Sequence, residues 1–158
     1  QWLLDCGLIY KVNRVNEPHV PLAAYKEMNV YKLFVLDVGL LGAMSDLDAM
    51  SILEGNDIFV EFKGALTEQY VLQQLISDTP YTPYYYGNEK ATFEQDFLIQ
   101  KAKSIVPIEV KAEQNIRSHS LKTYCEKFQP EEAVRFSTLK YKEQEWMVNI
   151  PLYAVCNL

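Results

Sequence analysis

The chain has 158 residues, a net charge of −6 and a 49% share of hydrophobic residues. This length fits one ordinary domain, and the apolar share is too high for a disordered chain. The acidic balance argues against a general nucleic-acid coat protein, and three scattered cysteines (Cys6, Cys125 and Cys156) argue against a disulfide scaffold or a structural zinc site.

The sequence has no apolar run of the roughly 18 residues that a membrane helix needs. It also opens without a secretory signal, so we expect a cytoplasmic protein that has no membrane contact. Its first residues, Gln-Trp-Leu-Leu, lack an initiator methionine and resemble the middle of a helix. This beginning favours a piece of a longer protein.

The N-terminal part predicts a helix end, a hairpin and a short helix. Gly7 is typical of the residue that ends a helix. The β-rich apolar runs Leu8–Val15 and Tyr31–Leu36 flank a proline-containing loop and predict two paired strands. Asp37 precedes a short apolar segment and is expected to cap a short helix.

From residue 56 onward the pattern predicts the order α-β-β-β-α-β. Asn56 or Asp57 is expected to cap a long helix that reaches about Ser77. The elements expected after it are strands Tyr84–Tyr86, Phe93–Gln100 and Ser104–Ala112, a helix from Ser118 or Ser120 to Phe128, and strands Ala133–Ser137 and Val148–Val155. A helix between strands suits a crossover that joins parallel strands. We therefore expect an α/β fold with a central mixed sheet flanked by helices.

Charged residues interrupt two strands that are otherwise apolar. Because side chains alternate across a strand, Glu109 and Lys111 share one face of a strand whose other face is apolar. Asp96 stands directly before the apolar run Phe97-Leu98-Ile99. Burial of such charges has a desolvation cost that a structural role rarely explains, so these three residues are candidate site residues.

A further carboxylate, Glu68, lies on the long helix in a stripe with Ala65, Leu72 and Leu75, a face expected to be half buried. Strand carboxylates offer oxygen ligands to Mg²⁺ or Mn²⁺, and a neighbouring lysine can orient a water or hold a phosphoryl oxygen. Each feature alone has an ordinary structural explanation. Glu109 and Lys111 also fit a surface ion pair, Asp96 a turn residue and Glu68 a solvated helix side chain. The order Glu, Asp, ExK on helix, strand and next strand is what points to a metal site.

The set Glu68, Asp96 and Glu109-Val110-Lys111 on these elements resembles the PD-(D/E)XK nuclease-like superfamily, which has the restriction-endonuclease fold. Along nearly its whole length the chain also resembles a C-terminal domain of unknown function that follows the P-loop domain in bacterial and archaeal AAA+-type ATPases. The stretches that support this resemblance are Tyr31–Leu40, Lys63–Val71, Glu94–Ile99, Val106–Ala112, Ser120–Tyr124 and Asn149–Tyr153.

The resemblance implies a nuclease-like domain in residues 56–158, preceded in residues 1–55 by a connecting region that includes a winged-helix remnant. It implies metal-dependent hydrolysis of DNA, with Asp96 and Glu109 as ligands of Mg²⁺ or Mn²⁺ and with Lys111 and Glu68 as catalytic residues. Arg117, Lys122 and Lys127 are expected to contact the DNA backbone. The implied partner is an upstream P-loop ATPase domain, and this sequence has no GxxxxGK[ST] motif that would bind ATP itself.

Two other functions stand beside this one. A catalytically silent nucleic-acid- or protein-binding regulatory module attached to the ATPase fits the acidic charge and the many aromatic residues. Nucleophilic catalysis by Cys125 or Cys6 with His19 or His119 has little support, because nothing in the sequence places a cysteine beside a histidine. The oligomeric state stays open.

Overall fold

A computed structural model of the chain describes residues 1–46, 57–87, 93–112 and 118–158. Its α-helices are α1 (Trp2–Asp5), α2 (Val38–Met44), α3 (Asp57–Asp78) and α4 (His119–Phe128). Its strands are β1 (Ile9–Val15), β2 (Lys26–Val35), β3 (Tyr84–Gly87), β4 (Glu94–Lys101), β5 (Ser104–Lys111), β6 (Val134–Ser137), β7 (Lys142–Glu143) and β8 (Val148–Pro151). Two 3-10 helices, Leu22–Tyr25 and Leu152–Asn157, complete these elements.

The eight strands form one mixed sheet in the order β2-β1-β3-β4-β5-β6-β8-β7. Antiparallel pairing joins β1 to β2, β3 to β4, β4 to β5 and β7 to β8. Parallel pairing joins β1 to β3, β5 to β6 and β6 to β8. Because α4 connects the parallel strands β5 and β6, the expected helical crossover is confirmed, as is a mixed α/β fold with helices flanking the sheet.

The N-terminal hairpin and its flanking helices follow the sequence prediction, except that the second strand, expected to begin at Tyr31, begins at Lys26. Gly7 follows α1 with a φ of 75°, and Asp37 caps α2 because its Oδ1 accepts a hydrogen bond from Leu40 N at 2.7 Å. Since β1 lies between β2 and β3, the hairpin belongs to the same sheet as the strands that follow. The expected boundary between residues 55 and 56, like Asn56, lies outside the described residues and stays a prediction.

The two faces of the sheet are covered by different helices. Helix α3 supplies Val71, Leu72 and Leu75 to a core cluster with Phe97 of β4 and Ile108 of β5. On the opposite face, α4 supplies Tyr124 to a second cluster, whose other buried members are Val15, Leu22, Tyr86 and Leu98. Strand β5 therefore lies inside the sheet with apolar contacts on both faces, as its sequence predicts.

Three further details differ from the prediction. The last strand was expected to extend to Val155, but β8 ends at Pro151 and a 3-10 helix follows, because proline lacks the N–H that a continued ladder needs. The two-residue strand β7 carries no recognisable run in the sequence. Ala65, expected on the half-buried stripe of the long helix, is exposed.

Within the described part of the chain, no helix is long and apolar enough to cross a membrane.

Candidate functional site

The candidate site lies where β4 and β5 stop pairing through their main chains. The pairing of the two strands ends at Phe97 and Ile108. Beyond this pair a side chain takes over, because Asp96 Oδ2 accepts a hydrogen bond from Val110 N at 2.7 Å. Val110 is the middle residue of the Glu-Val-Lys segment, so the Asp96 carboxyl lies against the strand that carries both other strand candidates.

A shift of register in β4 lies beside this fork, the point at which β4 and β5 stop pairing. Strand β3 pairs with β4 at Tyr84–Leu98 and next at Tyr86–Gln95, so β4 has one residue more than its partner over this stretch. Such an extra residue bends a strand and breaks its regular alternation. Gln95 bridges the gap, since its Nε2 donates to the carbonyl oxygen of Ile108 at 2.6 Å, while its Oε1 is buried without a partner among the described residues.

Glu109 is almost fully buried, with 2% of its surface exposed. Its Oε1 lies 2.7 Å from Lys111 Nζ, and its Oε2 accepts a hydrogen bond from Leu121 N at 3.1 Å. Leu121 is the third residue of α4, and amides in a helix's first turn have no partner within the helix. The Glu109 carboxylate thus accepts a hydrogen bond from a first-turn amide of α4. It lies at the helix end where the dipole favours negative charge.

Asp96 is the most perturbed carboxyl of the site. Burial is the largest cause, and together with the charges of Glu68 and Glu109 it raises the pKa of Asp96 to about 7, against the hydrogen bond from Val110 and the charge of Lys32, which lower it. Glu68 and Glu109 are therefore each within electrostatic reach of Asp96. The structure thus brings Glu68 and Glu109 near Asp96 from two sides of the sheet. Glu68 lies on α3, whereas the side chain of Glu109 is directed toward α4.

Lys32 of β2 is a charged contact that the sequence interpretation missed. Its Nζ lies 3.0 Å from Glu68 Oε1 and 2.5 Å from Glu94 Oε1, and 5.1 Å from the centre of the Tyr85 ring. Burial acts to lower the pKa of Lys32, but Glu68 and Glu94 outweigh it and raise that pKa. The signal was a lone cation within the apolar run Val30–Val35, the same type of signal that selected Glu109.

Arg135 of β6 was missed in the same way. It is buried between the apolar Val134 and Phe136, and its Cα pairs with that of Glu109 in the parallel register of β5 and β6. Its side chain binds Asn149 Oδ1 and Ser118 Oγ, at 2.9 and 3.2 Å. A buried arginine therefore lies in the layer directly beside the Glu-Val-Lys segment.

The basic residues expected to contact DNA are only partly described. Arg117 lies outside the described residues. Lys122 is exposed and its Nζ is 3.9 Å from Glu126, whereas the Nζ of Lys127 is 3.3 Å from Tyr86 Oη. Five helical residues correspond to a rotation of about 140°, so Lys122 and Lys127 do not form one strip, and their contact with DNA stays a prediction.

Cys125 lies on α4, where the charge of Glu109 affects the pKa of its thiol. Burial, the largest cause, together with the charges of Glu109 and Glu126 raises the pKa of Cys125 to about 11. Its thiol is therefore protonated at neutral pH. Because the thiolate is the nucleophile in cysteine chemistry, this environment argues against Cys125 as a catalytic nucleophile.

One known family matches the part of the chain that contains the four residues predicted for the site. Residues 63–154, more than half of the chain, match the family described as "Domain of unknown function (DUF4143)". The matched range extends from α3 into the last 3-10 helix and includes Glu68, Asp96, Glu109 and Lys111. Domains of this family are commonly C-terminal to AAA ATPases. No curated protein and no solved structure is significantly similar to the chain. The part of the sequence resemblance that concerns a domain of unknown function is therefore confirmed, and the chain belongs to the family Domain of unknown function (DUF4143).

Proposed function

We propose that this chain is a metal-dependent nuclease domain that hydrolyses phosphodiester bonds of DNA at the fork between β4 and β5. The observation that supports it most is the 2.7 Å hydrogen bond from Val110 N to Asp96 Oδ2. This bond holds an aspartate against the main chain between Glu109 and Lys111. Two carboxylates on neighbouring strands beside a lysine are suited to a hard cation and a phosphate.

The oxygen donors at the fork fit Mg²⁺ or Mn²⁺. Mg²⁺ is often held by one or two carboxylates, with waters and substrate phosphates as its remaining ligands. Asp96 Oδ1 accepts no hydrogen bond from the described residues, so one oxygen of this carboxyl is free to coordinate. The like charges around Asp96 also favour a cation there. When bound, the metal would lower the pKa of a coordinated water and neutralise charge on the phosphate.

Each site residue has a distinct role in this proposal. Asp96 and Glu109 hold the metal. Lys111 keeps the Glu109 carboxylate in place through the 2.7 Å ion pair and offers its ammonium group to the phosphate or the attacking water. Glu68 assists the metal shell through its charge on Asp96. Arg117, Lys122 and Lys127 add contacts to the DNA backbone that are independent of base sequence.

A catalytically silent binding module attached to an ATPase is the second candidate, and a specific observation favours it. Both oxygens of Glu109 are already engaged, one by Lys111 and one by Leu121 N. Among the described residues, no group of three or more His, Cys, Asp or Glu side chains is arranged to hold a metal ion. Such a domain would bind nucleic acid or protein without cutting it.

DNA cleavage separates the two candidates. Labelled single- and double-stranded DNA is incubated with the purified chain and Mg²⁺ or Mn²⁺, beside Asp96→Asn and Lys111→Met. We expect cleavage that needs the metal and falls at least about 100-fold in both variants, since a metal site supplies several kcal/mol of charge stabilisation.

Lys103→Ala is the matched control, because Lys103 is an exposed lysine in the turn between β4 and β5. It should cleave like the wild type. Cleavage that survives in Asp96→Asn comes from another site or a contaminant. If the wild type binds DNA but does not cut it, the silent module is the better description.

A further inference from the structure

A buried polar network lies beneath the candidate site, on the α4 side of the sheet. It consists of Glu109, Ser118, Arg135, Ser137 and Asn149, each of which is at most 9% exposed. The five residues come from β5, the start of α4, β6 and β8. Burial of the two charged members, Glu109 and Arg135, is costly unless each is paired and hydrogen-bonded. The partners of these two side chains therefore indicate the role of the network.

Arg135 joins β8 to the start of α4. Its Nε donates to Asn149 Oδ1 at 2.9 Å, and its Nη1 donates to Ser118 Oγ at 3.2 Å. Ser118 is the N-cap residue of α4, yet its side chain makes no capping hydrogen bond to the helix. The Ser118 hydroxyl therefore links the start of α4 to the arginine of β6.

The start of α4 in turn holds Glu109. Leu121 N donates to Glu109 Oε2 at 3.1 Å, which leaves Oε1 beside Lys111 Nζ. The Cα atoms of Glu109 and Arg135 are paired across the parallel strands, and the charge of Glu109 raises the pKa of Arg135 against the stronger lowering effect of burial. Arg135 and Glu109 are thus both hydrogen-bonded to the start of α4, Arg135 at Ser118 and Glu109 at Leu121.

We propose that Arg135 is a positioning residue of the site: through Ser118 it fixes the start of α4, so that the Leu121 amide holds Glu109 in its orientation beside Lys111. This inference rests on the proposed function for the meaning of "site", although its structural content does not require cleavage. Arg135 is buried and acts through other residues. It does not touch the substrate.

The test compares Ser118→Ala, Arg135→Lys and Arg135→Gln with Ser137→Ala as the matched control. Ser118→Ala removes the link between the arginine and the helix, without loss of a side-chain cap. Ser137→Ala removes a hydrogen bond to the same Asn149 oxygen, 2.7 Å long, but leaves the link to α4 intact. If the arginine variants fail to fold, Ser118→Ala still tests the proposal.

The main measurement is hydrogen exchange of the Leu121 amide by NMR in the metal-free chain. We expect exchange at Leu121 to rise about tenfold or more in Ser118→Ala, Arg135→Lys and Arg135→Gln, because the hydrogen bond from Leu121 N to the charged Glu109 carboxylate is weakened. Phe136 in β6 should exchange at the wild-type rate, as should Leu121 in Ser137→Ala. Unchanged exchange at Leu121, or an equal rise at Leu121 and Phe136, overturns the proposal, because the first shows no coupling and the second shows general destabilisation.

Mn²⁺ binding by calorimetry is the second measurement. Partners that orient a metal ligand are typically worth 10- to 100-fold in metal affinity, so we expect about a tenfold loss in Ser118→Ala and none in Ser137→Ala. Faster exchange at Leu121 with unchanged Mn²⁺ affinity overturns the link to the site. If the wild type itself binds no Mn²⁺ and cuts no DNA, the proposed function fails, and exchange at Leu121 alone decides whether Arg135 positions Glu109.

Discussion

Asp96 shows at the scale of one residue how a candidate site conflicts with stability. Its carboxyl is largely removed from water and lies near Glu68 and Glu109, and its pKa is raised to about 7 from an ordinary value of 3.8. An acid with a raised pKa in the native state destabilises that state wherever the unfolded chain would be ionised. The residue is thus kept in a place where its charge is unfavourable unless a cation is present.

We predict that Asp96→Asn stabilises the metal-free chain at pH 8 by about 2–4 kcal/mol, since each unit of pKa corresponds to about 1.4 kcal/mol. The gain should grow as the pH rises from about 4 to about 7 and stay constant above, because below pH 4 the carboxyl is protonated in both states. Urea unfolding with a chelator at pH 4 and pH 8 measures it. Glu145→Gln, at an exposed position, should show no such change, and a destabilised Asp96→Asn at pH 8 would contradict the argument.

Addition of metal should reduce the stability difference between the two proteins. A ligand that binds only the native state stabilises it, by about 2.7 kcal/mol at one hundred times its dissociation constant. We therefore expect millimolar Mn²⁺ to raise the melting temperature of the wild type and to leave that of Asp96→Asn unchanged. Thermal unfolding by circular dichroism, with Ca²⁺ and chelator as references, measures this, and an equal rise in both proteins argues against Asp96 as a ligand.

At the scale of elements, Lys32 ties β2 to α3 and β4. Its ammonium group lies between Glu68 and Glu94, so its removal would leave two carboxylates facing each other near Asp96. We predict that Lys32→Met lowers the free energy of unfolding by about 1–3 kcal/mol, since partly buried charges lose their counter-ion. Lys26→Met, at an exposed position on the same strand, should have little effect.

A double-mutant cycle with Glu68→Gln isolates the ion pair. In the background of Glu68→Gln, the Lys32→Met change should cost about 1 kcal/mol less than in the wild type, because residues in contact are not additive. Urea unfolding of the four proteins gives the coupling energy. Strict additivity would mean that Lys32 supports the fold by some other contact.

Local sequence patterns predicted the single helices and strands well, but they could not predict the contacts between elements that are distant in the sequence. The alternation of the Glu-Val-Lys strand correctly predicted that Ile108 and Glu109 lie on opposite faces, and in the structure Ile108 packs in the core with α3 while Glu109 contacts α4. The extra residue in β4 left no trace in the sequence, because a bulge is defined only by its partner strand. Lys32 and Arg135 each stand as a lone cation in an apolar run, but the sequence does not show their partners, which lie on other elements at separations that no periodicity reports.

At the scale of the whole molecule, the N-terminal hairpin is built into the sheet. Val12 of β1 is buried with Val71 and Leu75 of α3, and β1 covers the edge of β3. We predict that a fragment of residues 56–158 melts at least about 10 °C below the full chain. For a domain of about 100 residues, such a shift corresponds to a loss of roughly 2 kcal/mol in the free energy of unfolding. Thermal unfolding by circular dichroism tests this, and equal melting temperatures would support the predicted boundary between residues 55 and 56.

The parallel pairing of β1 with β3 also has a consequence for how the chain matures on the ribosome. Arg14 and Val15 pair with Tyr85 and Tyr86, residues that are synthesised 71 positions later. The β1–β2 hairpin can close early because its contacts are local, whereas the inner edge of β1 stays open until β3 has left the exit tunnel. An open strand edge can pair with other chains, so the inner edge of β1 is open to such pairing during this interval.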